Sequence, residues 1–214
     1  VVHPESGEYY HSQFGAICES DHVFIQQGLN YYLNLYPSYS TPLRILECGF
    51  GTGLNALLTL LFATKRGLSI DYISCEPFPL DLSVVSQLGF DQLIGSATNF
   101  YQLHECDWHT PVLLSELFTL TKLRIPFQTI TLSQPVHLIF FDAFSPDTQP
   151  ELWTESIFKQ CFDRLSPGGI LVTYCVKGIV RRRALACGFD VFKCPGPAGG
   201  KREMLRLIKP GGFA

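Results

Sequence analysis

From residue 43 onward, short β-branched or aromatic runs alternate with longer helical patterns, and this alternation restricts the chain more than any other feature it has. Parallel strands must be joined by crossovers, so the pattern predicts a mostly parallel sheet covered by helices on both faces. The expected strands span residues 43–48, 69–75, 118–125, 136–142, 170–175, 189–194 and 204–208. Helices are expected at 54–66, at 80–88 ending on Gly89, at 151–165 stopped by Ser166-Pro167-Gly168-Gly169, and at 179–187 ending on Gly188. Residues 90–118 read as mixed and mainly helical. The run VHLIFFD at 136–142 is apolar without interruption until its last residue, as a strand buried on both faces must be, and belongs in the middle of the sheet. The last two strands, joined by the Pro- and Gly-rich CPGPAGGKRE, read as an antiparallel hairpin.

A chain of 214 residues reads as one domain and buries enough surface to fold without a disulfide or metal staple. The expected division is a cap or lid segment at 1–40, rich in Tyr and outside the core, and a main body at 41–214. With 46% hydrophobic and 16% charged residues it is not a disordered chain, and no apolar stretch approaches the roughly 20 residues that cross a bilayer. The eight cysteines stand singly with no CxxC pair, and Cys48, Cys75, Cys161 and Cys175 fall inside apolar segments, so small hydrophobic thiols are expected and no metal site. Residues 1–10 are polar and show no signal peptide, which makes the cytoplasm the expected compartment. Charge is divided along the chain. Residues 175–209 hold nine basic groups against two acids, and the remainder holds seven against seventeen. One face could therefore hold a polyanion while the rest repels it.

The segment Glu47-Cys48-Gly49-Phe50-Gly51-Thr52-Gly53 lies between the first strand and its helix, where an open parallel sheet binds ligands. A dinucleotide fingerprint has GxGxxG, whereas here the third glycine comes one position early. This ExGxGxG form suits S-adenosylmethionine (SAM), which presents no phosphate to the loop. Glu76 ends the second strand 23 positions after Gly53, close to the spacing at which a carboxylate accepts hydrogen bonds from ribose hydroxyls. Together these features predict an α/β, Rossmann-like, SAM-dependent methyltransferase fold with a seven-stranded, mostly parallel sheet and an antiparallel C-terminal hairpin.

Across nearly its whole length the sequence resembles the methyltransferase half of the MnmC family. These are bacterial bifunctional enzymes that finish the 5-methylaminomethyl group on the wobble uridine of certain tRNAs. The resemblance is carried by YHS at 10–12, ESDHVFI at 19–25, ECGFGTGLN at 47–55, YISCEPFPL at 72–80 and FFDAFSPDTQPELWT at 140–154. It continues in PGGILVTYC at 167–175, GIVRRR at 178–183 and GKREML at 200–205. It implies transfer of the SAM methyl group to the exocyclic amine of 5-aminomethyl-(2-thio)uridine at position 34, with no metal. The FAD-dependent second domain of bifunctional members has no counterpart in residues 1–214, so the expectation is a stand-alone methyltransferase without FAD. The implied SAM ligands are Glu47, Gly49, Phe50, Gly51, Gly53, Asn55, Glu76 and Phe78. Where the family shows a Gly-Asp pair after the third strand, its acid receiving the adenine amino group, this chain has Ile125-Pro126. Either Gln128 or a main-chain carbonyl takes that role, or cofactor affinity is weaker.

Asp142 ends the central strand, where the acceptor must meet the sulfonium, and is the expected catalytic residue. The acceptor amine, with a pKa near 10, arrives mostly as an ammonium and must lose a proton. A carboxylate of pKa about 3.9 is a weak base for that purpose, so orientation and proton relay to water are the roles expected of Asp142. Ala143 and Phe144 are expected to wall the amine site, and Trp153 to anchor packing. Tyr10 and His11, with Ser12, Glu19 and His22, are expected to form the lid. Lys177, Arg181, Arg182, Lys201 and Arg202 are expected on tRNA phosphates, with at least one base of the Arg181–Arg183 run structural. Two other readings stay open at this stage. One is a polyamine aminopropyltransferase, whose cationic substrate the basic segment would repel, and the other a decayed SAM- or RNA-binding module. The sequence leaves the oligomeric state undetermined.

Overall fold

A computed structural model describes residues 13–38, 42–198 and 202–211. Among them, eight strands form one sheet: β1 Leu43–Cys48, β2 Ile70–Cys75, β3 Pro111–Ser115, β4 Phe118–Leu123, β5 Val136–Phe141, β6 Leu165–Thr173, β7 Asp190–Pro195 and β8 Glu203–Ile208. Their order is β3-β4-β2-β1-β5-β6-β8-β7. The strands from β4 to β6 run parallel, β3 is antiparallel on one edge, and β8 and β7 close the other edge antiparallel. The chain winds outward from β1 through β2 to β4, then returns to lay β5 on the other side of β1. The carboxyl ends of β1 and β5 thus face a topological switch point, where α/β sheets bind their ligands. β5 is buried along nearly its full length, as its uninterrupted apolar run predicts.

The expectation of seven strands is corrected to eight. β3 occupies part of the stretch read as mainly helical; it is short, its side chains are exposed or half-buried, and no apolar alternation marks it. The helices are α1 Gln13–Ser20, α2 Tyr31–Leu35, α3 Leu54–Arg66, α4 Leu82–Val85, α5 Phe90–Ile94, α6 Ala97–Glu105, α7 Glu155–Arg164 and α8 Gly178–Ala186. The helix expected at 80–88 is therefore a single turn. The one expected at 151–165 divides into a 3₁₀ turn, Pro150–Trp153, and α7, whose N-cap Thr154 accepts from Ile157 N–H at 3.4 Å. β6 begins at Leu165, so Ser166-Pro167-Gly168-Gly169 belongs to a bulged strand start: Val136 pairs with Leu165 and Leu138 with Ile170.

The expectation that the N-terminal segment lies outside the core is corrected for its described part. Ser20, Asn30 and Tyr31 keep right-handed helical dihedrals, so residues 13–35 form one helix whose middle, Asp21–Asn30, is wound as a π-helix. Val23, Phe24, Leu29 and Tyr32 are at most 2% exposed and share one hydrophobic cluster with Ile45, Phe140 and Val172. Gly28 permits the close approach, since a Cβ there would stand 3.0 Å from Val172 Cγ2 and 3.3 Å from Phe140 Cε1. The i→i+5 winding of a π-helix departs from the 3.6-residue repeat by which an amphipathic helix is recognised, which hid this element in the sequence. On the opposite face, α7 and α8 cover Phe141, Trp153, Phe158 and their neighbours.

Candidate active site

β1 delivers the chain into a turn built from the glycine motif. Gly49 and Phe50 both donate their N–H groups to Cys75 O at 3.1 Å, which ties the turn to the end of β2. Gly49 has φ +93°, and a Cβ there would lie 3.0 Å from Asp142 O, so only glycine lets the loop pass this close to the end of β5. Gly53 begins α3 and faces His104, whose Nε2 lies 3.1 Å from Thr52 O. Burial, with the Lys122 charge adding to it and the Thr52 carbonyl opposing, lowers the His104 pKa to about 4. The imidazole is therefore neutral at physiological pH, and its bond to Thr52 O fixes Nε2 as the protonated nitrogen.

A cavity of about 600 Å³ opens beyond the carboxyl ends of the strands, within the range of small-molecule sites. Gly49, Phe50, Gly51, Asn55, Glu76 and Phe78 line it, and so do Asp142, Ala143 and Phe144. Glu76 accepts from Gly51 N–H at 3.1 Å through one oxygen and from Phe78 N–H at 3.0 Å through the other, so two backbone donors fix its carboxylate at the rim. The ring of Phe78 is 65% exposed there. Asp142 receives a hydrogen bond from Asn55 Nδ2 at 2.8 Å, and its backbone N–H donates to Cys48 O at 3.1 Å. The Ala143-Phe144 wall is pinned three ways. Tyr174 Oη donates to Ala143 O at 2.8 Å, Trp153 Nε1 donates to Phe144 O at 2.7 Å, and Phe144 N–H donates to Gln149 Oε1 at 3.3 Å. Trp153, fully buried, is a packing anchor as expected, with a polar handle on this wall.

Two of the expected cofactor ligands do not line the cavity. Gly53 is turned toward His104, and Glu47 is 0% exposed beneath α3, where it accepts from Ser74 Oγ at 2.6 Å. Burial, with the neighbouring Asp142 charge adding to it, pushes the Glu47 carboxyl well above the usual carboxylate range, against the pull of bonds from Ser74, Asn55 and Tyr72. Tyr10, His11, Ser12 and Lys201 lie outside the described residues. Of the remaining lid residues, Glu19 lines the cavity, whereas His22 is committed to Pro195 O at 2.8 Å. Pro126 and Gln128 both line the cavity in the region where an adenine-binding acid is missing. The sequence gave no notice of Ala16, Ser20 and Phe24 as cavity residues, because their helix was not recognised, nor of Gln149 and Tyr174. The segments ESDHVFI and PGGILVTYC, already distinctive as motifs, were the available signal.

The basic segment is largely spoken for. Arg183 donates to Trp153 O at 2.7 Å, Lys209 to Leu165 O at 2.7 Å, and Arg206 to Gln27 O at 3.3 Å while its guanidinium stacks 3.3 Å over Tyr31. Lys193 pairs with Glu203 at 2.8 Å, and Lys177 pairs with Asp147. Arg181 and Arg182 on α8, and Arg202, are exposed. Among the described residues no group of three His, Cys, Asp or Glu side chains is placed to hold a metal ion, and no helix is long and apolar enough to cross a membrane.

Residues 116–210 match a family model described as S-adenosyl-L-methionine-dependent methyltransferase. The chain is 33% identical, over 96% of its length, to the tRNA 5-methylaminomethyl-2-thiouridine biosynthesis bifunctional protein MnmC of Magnetococcus marinus, of which it covers 32%. The protein of the same name from Chromobacterium violaceum is 31% identical over 92% of the chain and is covered to 31%. The chain thus spans about a third of these relatives. Among solved structures, MNMC2 from Aquifex aeolicus superposes with a TM-score of 0.70 at 27% identity, covering 96% of this chain and 65% of that one. The CMeT domain of citrinin polyketide synthase, at 13% identity and a TM-score of 0.52, shares the fold alone.

Proposed function

We propose, for a chain that belongs to the S-adenosyl-L-methionine-dependent methyltransferases, that its acceptor is the exocyclic amine of 5-aminomethyl-(2-thio)uridine at tRNA wobble position 34, in the cytoplasm. One observation carries the reading: Asp142, oriented by Asn55, opens into the same cavity as the glycine turn and Glu76. The family resemblance of the motifs and the MnmC relatives support the choice of acceptor.

The donor supplies an electrophilic methyl group on a sulfonium. Gly49 and Gly51 leave room for it at the turn, and the Glu76 carboxylate, already aligned by Gly51 and Phe78, accepts from its ribose hydroxyls. Gln128 is the cavity residue suited to the adenine amino group, because Pro126 has neither an N–H nor a polar side chain. Asp142 attracts the acceptor ammonium, holds it in line and passes its proton to water, while Ala143 and Phe144 exclude solvent from the amine. The target base sits in a single-stranded anticodon loop and can be splayed into the cavity without melting a duplex. The Lys177–Asp147 pair ties the start of α8 to the loop whose Ser145 and Gln149 line the cavity, so Arg181 and Arg182 stand beside its mouth and meet tRNA phosphates. Arg202 and Lys201 are the further phosphate contacts of this reading.

The test is mass spectrometry of nucleosides from aminomethyl-bearing tRNA incubated with the protein and isotopically labelled SAM. Wild type is expected to convert 5-aminomethyl- to 5-methylaminomethyl-uridine. Asp142→Ala is expected to lower turnover by at least about 100-fold, with calorimetric SAM affinity kept within a few-fold. Label found elsewhere in the tRNA, or a fully active Asp142→Ala, would dismiss the assignment.

A further inference from the structure

Glu47 is the only acid fully buried among the described residues, and the reaction just described gives it nothing to do. It is placed with care nonetheless. On β1 it alternates with Leu43 and Ile45, which turns it beneath α3 beside Asn55, itself 4% exposed, with Tyr72 and Ser74 of β2 on its other side. Its Oε2 is satisfied by Ser74 Oγ at 2.6 Å. Three buried atoms in this cluster lack a hydrogen bond of acceptable geometry: Glu47 Oε1, Asn55 Oδ1 and the Tyr72 hydroxyl. An amide oxygen and an ionised carboxylate only accept, so the cluster with a charged Glu47 has two acceptors left over and one hydroxyl to serve them. A proton on Glu47 supplies the second donor. Charge argues the same way, since an ionised Glu47 would be a second uncompensated anion beside Asp142 in a water-free site.

We propose that Glu47 is a positioning residue of the acceptor site, a neutral carboxylic acid that clamps the Asn55 amide so that Nδ2 stays aimed at Asp142. This rests on the reading of Asp142 as the carboxylate that meets the amine. It reassigns the first acid of the glycine motif from holding the methyl donor to holding the residue that orients the acceptor's partner. The link is physical: Asn55 touches Glu47 on one side and donates to Asp142 Oδ2 at 2.8 Å on the other. The titratable groups that face Glu47 are Tyr72 from β2 and Asp142 after β5, and burial raises the Tyr72 hydroxyl well above its ordinary range, so it stays a neutral donor at working pH.

The experiment measures kcat against pH, calorimetric SAM affinity and thermal unfolding for Glu47→Gln, Glu47→Ala and Asp142→Ala. Glu47→Gln, a neutral isostere, is expected to keep kcat within a few-fold and to leave the acid limb of the pH profile where it was. Glu47→Ala, which frees Asn55, is expected to lower kcat by about 100-fold, the scale of an ångström of misplacement, with SAM affinity held within a few-fold. Full activity in Glu47→Ala overturns the proposal. So does a loss of SAM affinity that matches the loss of kcat, which would return Glu47 to the donor. A displaced acid limb in Glu47→Gln also overturns it, because Asp142 would then have been feeling a negative charge. If Glu47→Ala fails to fold, the Glu47→Gln profile decides alone. An inactive Asp142→Ala beside normal Glu47 variants defeats only this proposal, and an active Asp142→Ala defeats the acceptor reading itself.

Discussion

At the carboxyl ends of β1, β2 and β4, the two faces of one sheet carry opposite chemistry. On the face beneath α3, Glu47, Ser74 and Lys122 are all 0% exposed. One residue further along each strand, on the face beneath α7, stand Cys48, Cys75 and Leu123, packed near Phe141, Trp153 and Phe158. The second face is dry, and burial pushes the Cys48 and Cys161 thiols up, away from reactivity. The first face is polar, and its side chains have work: Ser74 holds Glu47, and Lys122 Nζ donates to His104 O at 2.7 Å while lying 4.7 Å from the centre of the Trp108 ring. Buried polar groups cost stability unless each is partnered, so they are confined to the side that supports Asn55 and the glycine turn. The dry side supplies stability, and the polar side supplies orientation.

Four measurements would break or sharpen this contrast. Trp153→Ala on the dry side should cost the most, about 3–5 kcal/mol by urea unfolding; a loss as small as that of a surface change would mean the aromatic cluster is not what stabilises that face. Next in size is a pH effect confined to the polar side. His104 is held at about 4, below the ordinary 6.5, so the unfolded chain binds its proton first, and stability is complete above pH 6.5 and falls as pH drops toward 4. The loss approaches about 3 kcal/mol, and His104→Asn should flatten it; an unchanged slope in the variant would place the effect elsewhere. Ser74→Ala removes the donor to Glu47 Oε2 and should cost about 1–3 kcal/mol, whereas a neutral result would show that Glu47 finds another partner. Smallest is Thr154→Ala, which uncaps α7 at the edge of the dry face and should cost about 1 kcal/mol, visible as a shift in the unfolding midpoint without change in its slope.

The same contrast explains what was legible in the sequence. β5 could be read because an apolar run flanked by turn residues has few other uses, and the glycine turn because strand, motif and helix follow in order. Glu47 was assigned to the cavity from its place in the motif, although the alternation Leu43, Ile45, Glu47 already put it on one face with two core residues. The N-terminal helix escaped because its π winding breaks the expected repeat, and β3 because a short, exposed edge strand carries little pattern. The basic segment was read as a uniform patch, yet Arg183, Arg206 and Lys209 each serve a backbone carbonyl. Sequence shows charge but not its partners, and here the partners lie up to 179 residues away.

The order β6-β8-β7 has a further consequence for how the chain assembles. β7 pairs with β8 alone, and β8 is also the partner that seals β6, so a strand made late is inserted between two made earlier. Until residues 203–208 leave the ribosome, β6 presents a raw hydrogen-bonding margin and β7 has no neighbour to dock on. Nascent chains halted before that point should be the sticky, protease-sensitive species, and one short keystone strand turns them into a closed sheet.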